Sequence, residues 1–195
     1  PLFYFYEYAL RTAPSAMMVD LKAHFALSAA GLGTLVGAYF YAYAPAQVIA
    51  GALIDGYGGK KIMPFSVLLC VLGSWLFLSD SVTVAFCGRL LIGLGSGFAY
   101  AGILYVASNW IGARQFALVI GLTQAMGLLG AIAGQAMMVH IVVVHGWSAV
   151  WNYAIVSGIA LTLILALIIP KRPAHIEQHF ESQRWARVRR NVKLV

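Results

Sequence analysis

Apolar runs long enough to cross a lipid bilayer alternate with short polar stretches along the chain. A helix of about 20 apolar residues matches the hydrocarbon core of a bilayer. The runs are continuous and lack the two-residue alternation of transmembrane barrel strands, so each is predicted to be a helix. Their approximate limits are residues 1–19, 31–54, 62–79, 82–108, 116–139 and 148–169.

This pattern predicts an all-α membrane protein whose six transmembrane helices pack as one bundle over residues 1–169. The first run is already apolar at Leu2, and we expect that helix to be truncated at its start. Residues 170–195 are polar and basic, and we expect them to form a cytoplasmic segment.

Composition and the placement of charge agree with a multi-pass membrane protein. Only 10% of the residues are charged and 62% are hydrophobic, whereas soluble domains carry about 25% charged residues. If the chain starts in the cytoplasm, the inward connections contain Lys60, Lys61 and Arg114, while the outward connections contain only Lys22. This positive-inside asymmetry predicts that both ends are cytoplasmic, and it explains the net charge of +7 without a nucleic-acid partner.

The stretch FYEYALR, residues 5–11, places an acid and a base inside the first apolar run. On a helix, Tyr4, Glu7, Tyr8 and Arg11 share one face, and Pro14 follows where a helix often bends. Each charge at membrane depth costs about 2.5–3.5 kcal/mol on insertion scales, and pairing lowers that cost. One interpretation is a site in which Arg11 holds an anionic group and Glu7 holds a proton or a cation. The alternatives are a structural ion pair, or a pair that lies near the membrane interface.

Further polar side chains fall inside the other predicted helices. Arg89 has no acid within one helical turn, so its partner must come from another helix, a backbone carbonyl or water. Its side chain could instead snorkel to the outer interface. Four more side chains could line a polar cavity or could bond a neighbouring helix, and these are Tyr39, Tyr43, Gln47 and Gln124.

Glycines spaced four residues apart recur inside the predicted helices. Small residues at this spacing allow two helix backbones to approach closely in a membrane. The spacing therefore predicts a tightly packed bundle. The pairs are Gly33 with Gly37, Gly93 with Gly97, and Gly130 with Gly134.

The stretch GALIDGYGGKK joins the second and third predicted helices. Asp55 can cap the start of the third helix or pair with a base from another loop, and the glycines permit a tight turn. The stretch resembles the signature G-x-L-x-D-x-x-G-R-R/K of the major facilitator superfamily, which lies between helices two and three. Gly51, Leu53, Asp55, Gly58 and Lys60 fit that signature.

A second resemblance lies in the fourth helix. Arg89-x-x-x-Gly93 is similar to that superfamily's helix-four motif, although Ile92 stands where the motif often has Gln. In the superfamily, this Arg is tied to substrate binding or proton coupling. The resemblance implies the N-terminal half of a twelve-helix transporter, and it places residues 170–195 in the central cytoplasmic loop. It also implies a conformational latch on the cytoplasmic side, which consists of Gly51, Asp55, Gly58 and Lys60.

The resemblance thus implies secondary active transport of a small solute by alternating access. We expect proton-coupled symport of an organic anion or a zwitterion, in a bacterial inner membrane. The expected partners are the small-molecule substrate, protons, the lipid bilayer and a second six-helix half from the same chain or another copy. We expect no cofactor, no metal and no enzymatic activity.

Two other classes of membrane protein remain alternatives. A six-helix half could act as a receptor or an assembly module without transporting anything. A rhomboid-like intramembrane protease is disfavoured, because the stretch around Ser96 has Leu94 where the protease motif needs Gly. The sixth predicted helix also lacks the histidine that such a protease requires.

Overall fold

A computed structural model describes residues 1–170, apart from the side chains of Trp110 and Ala113. The remainder of the predicted basic segment, residues 171–195, lies outside the described part. Within the described residues the chain is helical and has no strand, as predicted. The helices are α1 (Leu2–Thr12), α2 (Met18–His24), α3 (Ala29–Tyr57), α4 (Gly59–Phe77), α5 (Val82–Ser96), α6 (Phe98–Trp110), α7 (Ala113–His145) and α8 (Trp147–Ile168).

Four of the six predicted spans are long and apolar enough to cross a membrane. They are Gly59–Phe77, Val82–Asn109, Arg114–His145 and Trp147–Ile168. The second predicted span, α3, is 29 residues long but is not among these four. The first predicted span consists of α1, a 3-10 turn at Ala13–Met17 that contains Pro14, and α2. A count of six spans therefore stays a prediction.

Two predicted connections are shorter than expected. The stretch from Asp20 to His24, predicted to be a loop, forms part of α2. The chain turns only after it, and the Ser28 hydroxyl caps α3 by accepting from the Gly31 N–H at 3.1 Å. At the other end of the bundle, α7 continues to His145 because the apolar residues do not stop at residue 139. Gly146 ends α7 with a φ of +82°, a conformation that favours glycine.

Glycines set the distances between several helices. Within the described residues, α3 and α4 both pack closely on α5, α8 packs on α4, and α1 packs on α7. A Cβ atom at Gly93 would collide with the Tyr39 carbonyl oxygen of α3. A Cβ atom at Gly97, the residue between α5 and α6, would lie 2.5 Å from the Ala46 Cβ atom. The prediction of close helix packing is therefore confirmed for Gly93 and Gly97.

The two other glycine pairs differ from each other. A Cβ atom at Gly130 would lie 2.5 Å from the Phe5 carbonyl oxygen, and one at Gly134 would lie 3.1 Å from the Ala9 Cβ atom. This pair therefore lets α1 approach α7. The prediction for the third pair is wrong within the described residues, because Gly33 and Gly37 have open space where a Cβ atom would stand. The spacing is the same, but these two glycines lie on a face of α3 that no described helix covers.

This difference gives a test of the packing. We expect Gly93→Ala to destabilise the chain by about 1–3 kcal/mol, because the added methyl group must displace the α3 backbone. The matched control, Gly33→Ala, should be neutral or stabilising by about 0.5–1 kcal/mol, since alanine favours the helix and meets no atom. Thermal denaturation of the purified chain in detergent measures both. Equal effects of the two substitutions would contradict the close contact at Gly93.

Candidate functional site

The predicted ion pair between Glu7 and Arg11 forms within α1. Glu7 is completely buried, with 0% of its surface exposed, and Arg11 is 21% exposed at its side chain. The Arg11 Nε atom donates to Glu7 Oε1 at 2.9 Å, and the Nη2 atom donates to the same oxygen. The four-residue spacing on a helix brings the two side chains together. The pair is therefore confirmed, and it faces the protein interior.

Tyr39 from α3 completes the surroundings of one carboxylate oxygen. Its hydroxyl donates to Glu7 Oε1 at 2.5 Å and accepts from Arg11 Nε at 3.4 Å. The second carboxylate oxygen, Oε2, is buried and has no hydrogen-bond partner among the described residues. A buried acceptor without a partner is costly. Among the described residues, Oε2 is thus the oxygen of the pair that receives no hydrogen bond.

Three tyrosine rings surround the Arg11 guanidinium group, and we call Tyr8, Tyr39 and Tyr43 the tyrosine cage. The guanidinium carbon lies 4.4 Å from the centre of the Tyr8 ring, 4.7 Å from that of Tyr43 and 5.6 Å from that of Tyr39. At these distances the ring faces attract the cation. The hydrogen bonds of Arg11 to Glu7 and Tyr39 use its Nε and Nη2 atoms.

A second layer of polar groups supports the tyrosine cage. The Tyr4 hydroxyl donates to the Tyr8 hydroxyl at 3.3 Å, and the Gln47 amide donates to the Tyr43 hydroxyl at 2.7 Å. The Tyr4 ring also lies 5.6 Å from the ring of Tyr100 in α6. Sequence reasoning missed Tyr100, although its position in the stretch GFAYAG of the fourth predicted helix could have drawn attention to it.

Arg89 of α5 lies beside this cluster and is also 0% exposed. Its Nη1 atom donates to the Leu10 carbonyl at 3.2 Å, and its Nη2 atom donates to the Val36 carbonyl at 3.3 Å. The partners are therefore backbone carbonyls from other helices, one of the predicted possibilities. The side chain does not snorkel to an interface. Its guanidinium carbon lies 5.1 Å from the centre of the Tyr39 ring.

Gln124 differs from the other predicted site residues. Its side chain is exposed on α7, and it is not a hydrogen-bond partner of Glu7 or Arg11 in the described residues. The neighbouring residue, Thr123, is the buried one, and its hydroxyl donates to the Val119 carbonyl at 2.8 Å. The structure thus brings together the predicted residues of α1, α3 and α5, and leaves Gln124 outside their contacts.

The predicted latch residues lie at the junction of α3 and α4. Gly58 ends α3 with a φ of +85°, which confirms that glycine permits the turn. Asp55 lies exposed in the last turn of α3. The N-cap residue of α4 is Gly58, and both roles expected of Asp55, capping the next helix or pairing with a base from another loop, stay predictions. Lys60 follows in the first turn of α4, where it is half-buried.

An open cleft of about 380 Å³ runs beside this junction. Residues from α3, α6 and the start of α7 line it, among them Gly51, Asp55, Tyr105 and Phe116. None of its lining residues belongs to the Glu7–Arg11 pair or to the tyrosine cage. The latch residues and the buried ion pair are therefore two separate features of the bundle.

Comparison with known proteins identifies the family. The family model described as Major Facilitator Superfamily matches residues 2–194, nearly the whole chain. The chain therefore belongs to the major facilitator superfamily, and its resemblance to an N-terminal half of such a transporter is confirmed.

Several curated relatives are transporters. The chain is 28% identical over 127 residues to the probable anion transporter 3, chloroplastic, of Arabidopsis thaliana, which covers 64% of the chain and 25% of that protein. It is 24% identical over 173 residues to the probable sulfoacetate transporter SauU of Cupriavidus necator, covering 88% of the chain and 40% of that protein. It is 24% identical over 173 residues to the hexuronate transporter of Bacillus subtilis, covering 86% of the chain and 40% of that protein. The chain thus spans a quarter to two-fifths of the length of these relatives.

Proposed function

We propose that the chain forms one half of a secondary active transporter that carries a small organic anion by alternating access. The observation that carries this proposal is the Glu7–Arg11 pair, which is held inside the bundle by Tyr39. Buried ionisable groups at membrane depth are costly and generally serve a substrate or ion pathway. The chain that contains this ion pair belongs to the major facilitator superfamily.

The charges at the site favour an anion. Arg11 and Glu7 neutralise each other, whereas the partners of Arg89 among residues 1–170 are neutral carbonyls. The cluster thus carries one positive charge in excess, and a bound anion would balance it. The Arg11 guanidinium group suits a carboxylate or a sulfonate, because a planar guanidinium binds such groups through paired N–H donors.

The names of the relatives support the same substrate class. They describe an anion transporter, a sulfoacetate transporter and a hexuronate transporter. Sulfoacetate and hexuronates are small organic acids that carry a negative charge at neutral pH. We extend that class to the present chain because Arg11 offers the chemistry that such acids share.

Glu7 provides the proposed link to protons. Its Oε1 atom accepts from Arg11, while its Oε2 atom is buried and has no hydrogen-bond partner within residues 1–170. Protonation would remove the charge that holds Arg11 and would free the guanidinium for the substrate. Binding of a proton and binding of an anion would then favour each other, which is the coupling that symport requires.

The remaining parts of the transporter follow the family pattern. In the proposal, a second six-helix half faces this one across the site, and the two rock about it. The second half belongs to the same protein or to another copy of this chain. Gly51, Asp55, Gly58 and Lys60 hold the cytoplasmic side closed. Both ends lie in the cytoplasm, because the inward connections carry the positive charges, and we place the protein in a bacterial inner membrane.

Uptake into proteoliposomes tests this function. Sulfoacetate and glucuronate serve as labelled probes, each with and without an inward proton gradient. Residues 1–195 alone are compared with the same residues joined to a second six-helix half. We expect at least one of the two preparations to accumulate at least one probe, and to do so faster with the gradient. If uptake equals that of empty liposomes for both anions, the organic-anion proposal is wrong, and binding assays for a receptor function become the next step.

A further inference from the structure

We propose that Arg89 is a positioning residue that holds the Glu7–Arg11 site in shape by binding a carbonyl that Pro14 leaves without its helical donor. The inference concerns the site of the proposed function and rests on that function only for its consequence for transport. It starts from the bend in the first predicted span. Three contacts of one buried guanidinium group carry it.

The first contact follows from the chemistry of proline. In a helix, the carbonyl of residue 10 accepts from the N–H of residue 14, and proline has no N–H to give. The structure has a 3-10 turn at Ala13–Met17, where the regular helix of α1 stops. Arg89 Nη1 donates to that Leu10 carbonyl at 3.2 Å. In lipid, such a carbonyl needs a partner within the protein, and the side chain from α5 provides it.

The second contact ties the same side chain to α3. Arg89 Nη2 donates to the Val36 carbonyl at 3.3 Å. One helical turn further along α5, Gly93 has no side chain, so that the α3 backbone comes close at the Tyr39 carbonyl. This close approach lets the Arg89 head reach α3 while it also reaches α1. One side chain therefore connects α1, α3 and α5.

The third contact links the connection to the ion pair. The Arg89 guanidinium carbon lies 5.1 Å from the centre of the Tyr39 ring, and the Tyr39 hydroxyl donates to Glu7. Leu10 directly precedes Arg11 in the chain. Arg89 thus fixes the backbone next to Arg11 and the ring that carries the third donor to Glu7. No described contact joins Arg89 to Glu7 or Arg11 directly, so its effect on them acts through Leu10 and Tyr39.

A double-mutant cycle between positions 14 and 89, made in the protein as it occurs naturally, tests the bond from Arg89 to the Leu10 carbonyl. Arg89→Gln should lower the midpoint of thermal denaturation when Pro14 is present. Pro14→Ala restores an N–H for the Leu10 carbonyl, so in that background the shift caused by Arg89→Gln should be roughly half or less. Pro45→Ala is the matched control, because Pro45 lies inside α3 at an exposed position. Additive shifts at positions 14 and 89 would overturn the proposal.

The effect of Arg89 on the ion pair is measured as the chemical reactivity of Glu7, without any substrate. A hydrophobic carbodiimide reacts with buried protonated carboxyl groups, and mass spectrometry gives the rate at which Glu7 is modified. Below the denaturation temperature of every variant, we expect Arg89→Gln to raise this rate roughly tenfold, the factor for a loss of about 1.4 kcal/mol of protection. Arg89→Lys keeps a donor and should stay close to the wild type.

The two readouts separate this inference from the proposed function. A residue that supports only global stability would change the denaturation midpoint and leave the modification rate of Glu7 unchanged, which would overturn the positioning role. Neither experiment uses a transported anion. If uptake of sulfoacetate and glucuronate fails while the cycle and the modification rates behave as expected, the proposed substrate class is wrong and the role of Arg89 stands.

Discussion

Arg11→Lys is expected to reduce the uptake of an organic anion, measured as kcat/KM, by roughly 100-fold. Lysine keeps the positive charge but loses the planar fork that reaches Glu7 with two donors. Truncating one partner of a buried, hydrogen-bonded charge pair costs about 2–5 kcal/mol, and each tenfold loss in rate corresponds to about 1.4 kcal/mol. The tyrosine cage also fits a flat guanidinium better than a compact ammonium group.

The measurement is initial uptake of labelled sulfoacetate or glucuronate into proteoliposomes with equal amounts of inserted protein. Arg114→Lys makes the same chemical change at an exposed position near the start of α7, and it should leave uptake within about twofold of the wild type, as expected for an exposed site away from the cluster. If Arg11→Lys transports as well as Arg114→Lys, Arg11 does not bind the anion, and the ion pair is a packing feature of α1.

The spacing inside one helix could be predicted from sequence, and the contacts between helices could not. Glu7 and Arg11 are four residues apart, so the geometry of an α-helix alone brings them together. Tyr39 reaches Glu7 from α3, thirty-two positions further along the chain. That contact depends on how two helices are rotated about their axes, and apolar runs without a strong polar face leave this rotation open.

The glycine pairs show the same limit. Gly93 with Gly97 and Gly33 with Gly37 have identical spacing, yet only the first pair receives a neighbouring backbone among the described residues. Spacing shows that a helix can accept a close neighbour, but the neighbour itself is decided by packing. The partners of Arg89 could not be predicted either, because its N–H groups donate to the backbone carbonyls of Leu10 and Val36, and no residue type in the sequence singles out these carbonyls.

One feature of the sequence does point to the contact between Arg89 and the Leu10 carbonyl. Pro14 leaves the Leu10 carbonyl without its usual donor, and this follows from the covalent structure of proline. A buried arginine without a nearby acid, such as Arg89, needs acceptors. Arg89 could therefore donate to the Leu10 carbonyl, but the sequence alone does not show that α5 passes close enough to α1. Prolines that interrupt membrane helices can therefore be searched for unpartnered arginines once a fold is known.

Glu7→Gln is expected to abolish the stimulation of uptake by an inward proton gradient while leaving exchange of the anion across the membrane intact. Glutamine has nearly the same shape, and its amide oxygen can still accept from the Tyr39 hydroxyl, so the contact between α1 and α3 is kept. The amide carries no charge and takes up no proton in the physiological range. The positive charge of Arg11 then stays available to the anion at every pH, and the coupling between proton and anion is lost.

Two uptake modes measured on the same proteoliposomes separate the possible outcomes. With a proton gradient, accumulation by Glu7→Gln should fall to the level reached without one. Without a gradient, exchange against anion loaded inside should continue, with a KM no higher than that of the wild type. Asp20→Asn changes an exposed carboxylate of α2 and should keep the full stimulation. A variant at Glu7 that still accumulates the anion with the gradient would assign proton binding to another residue, and one that loses exchange as well would make Glu7 a structural partner of Arg11.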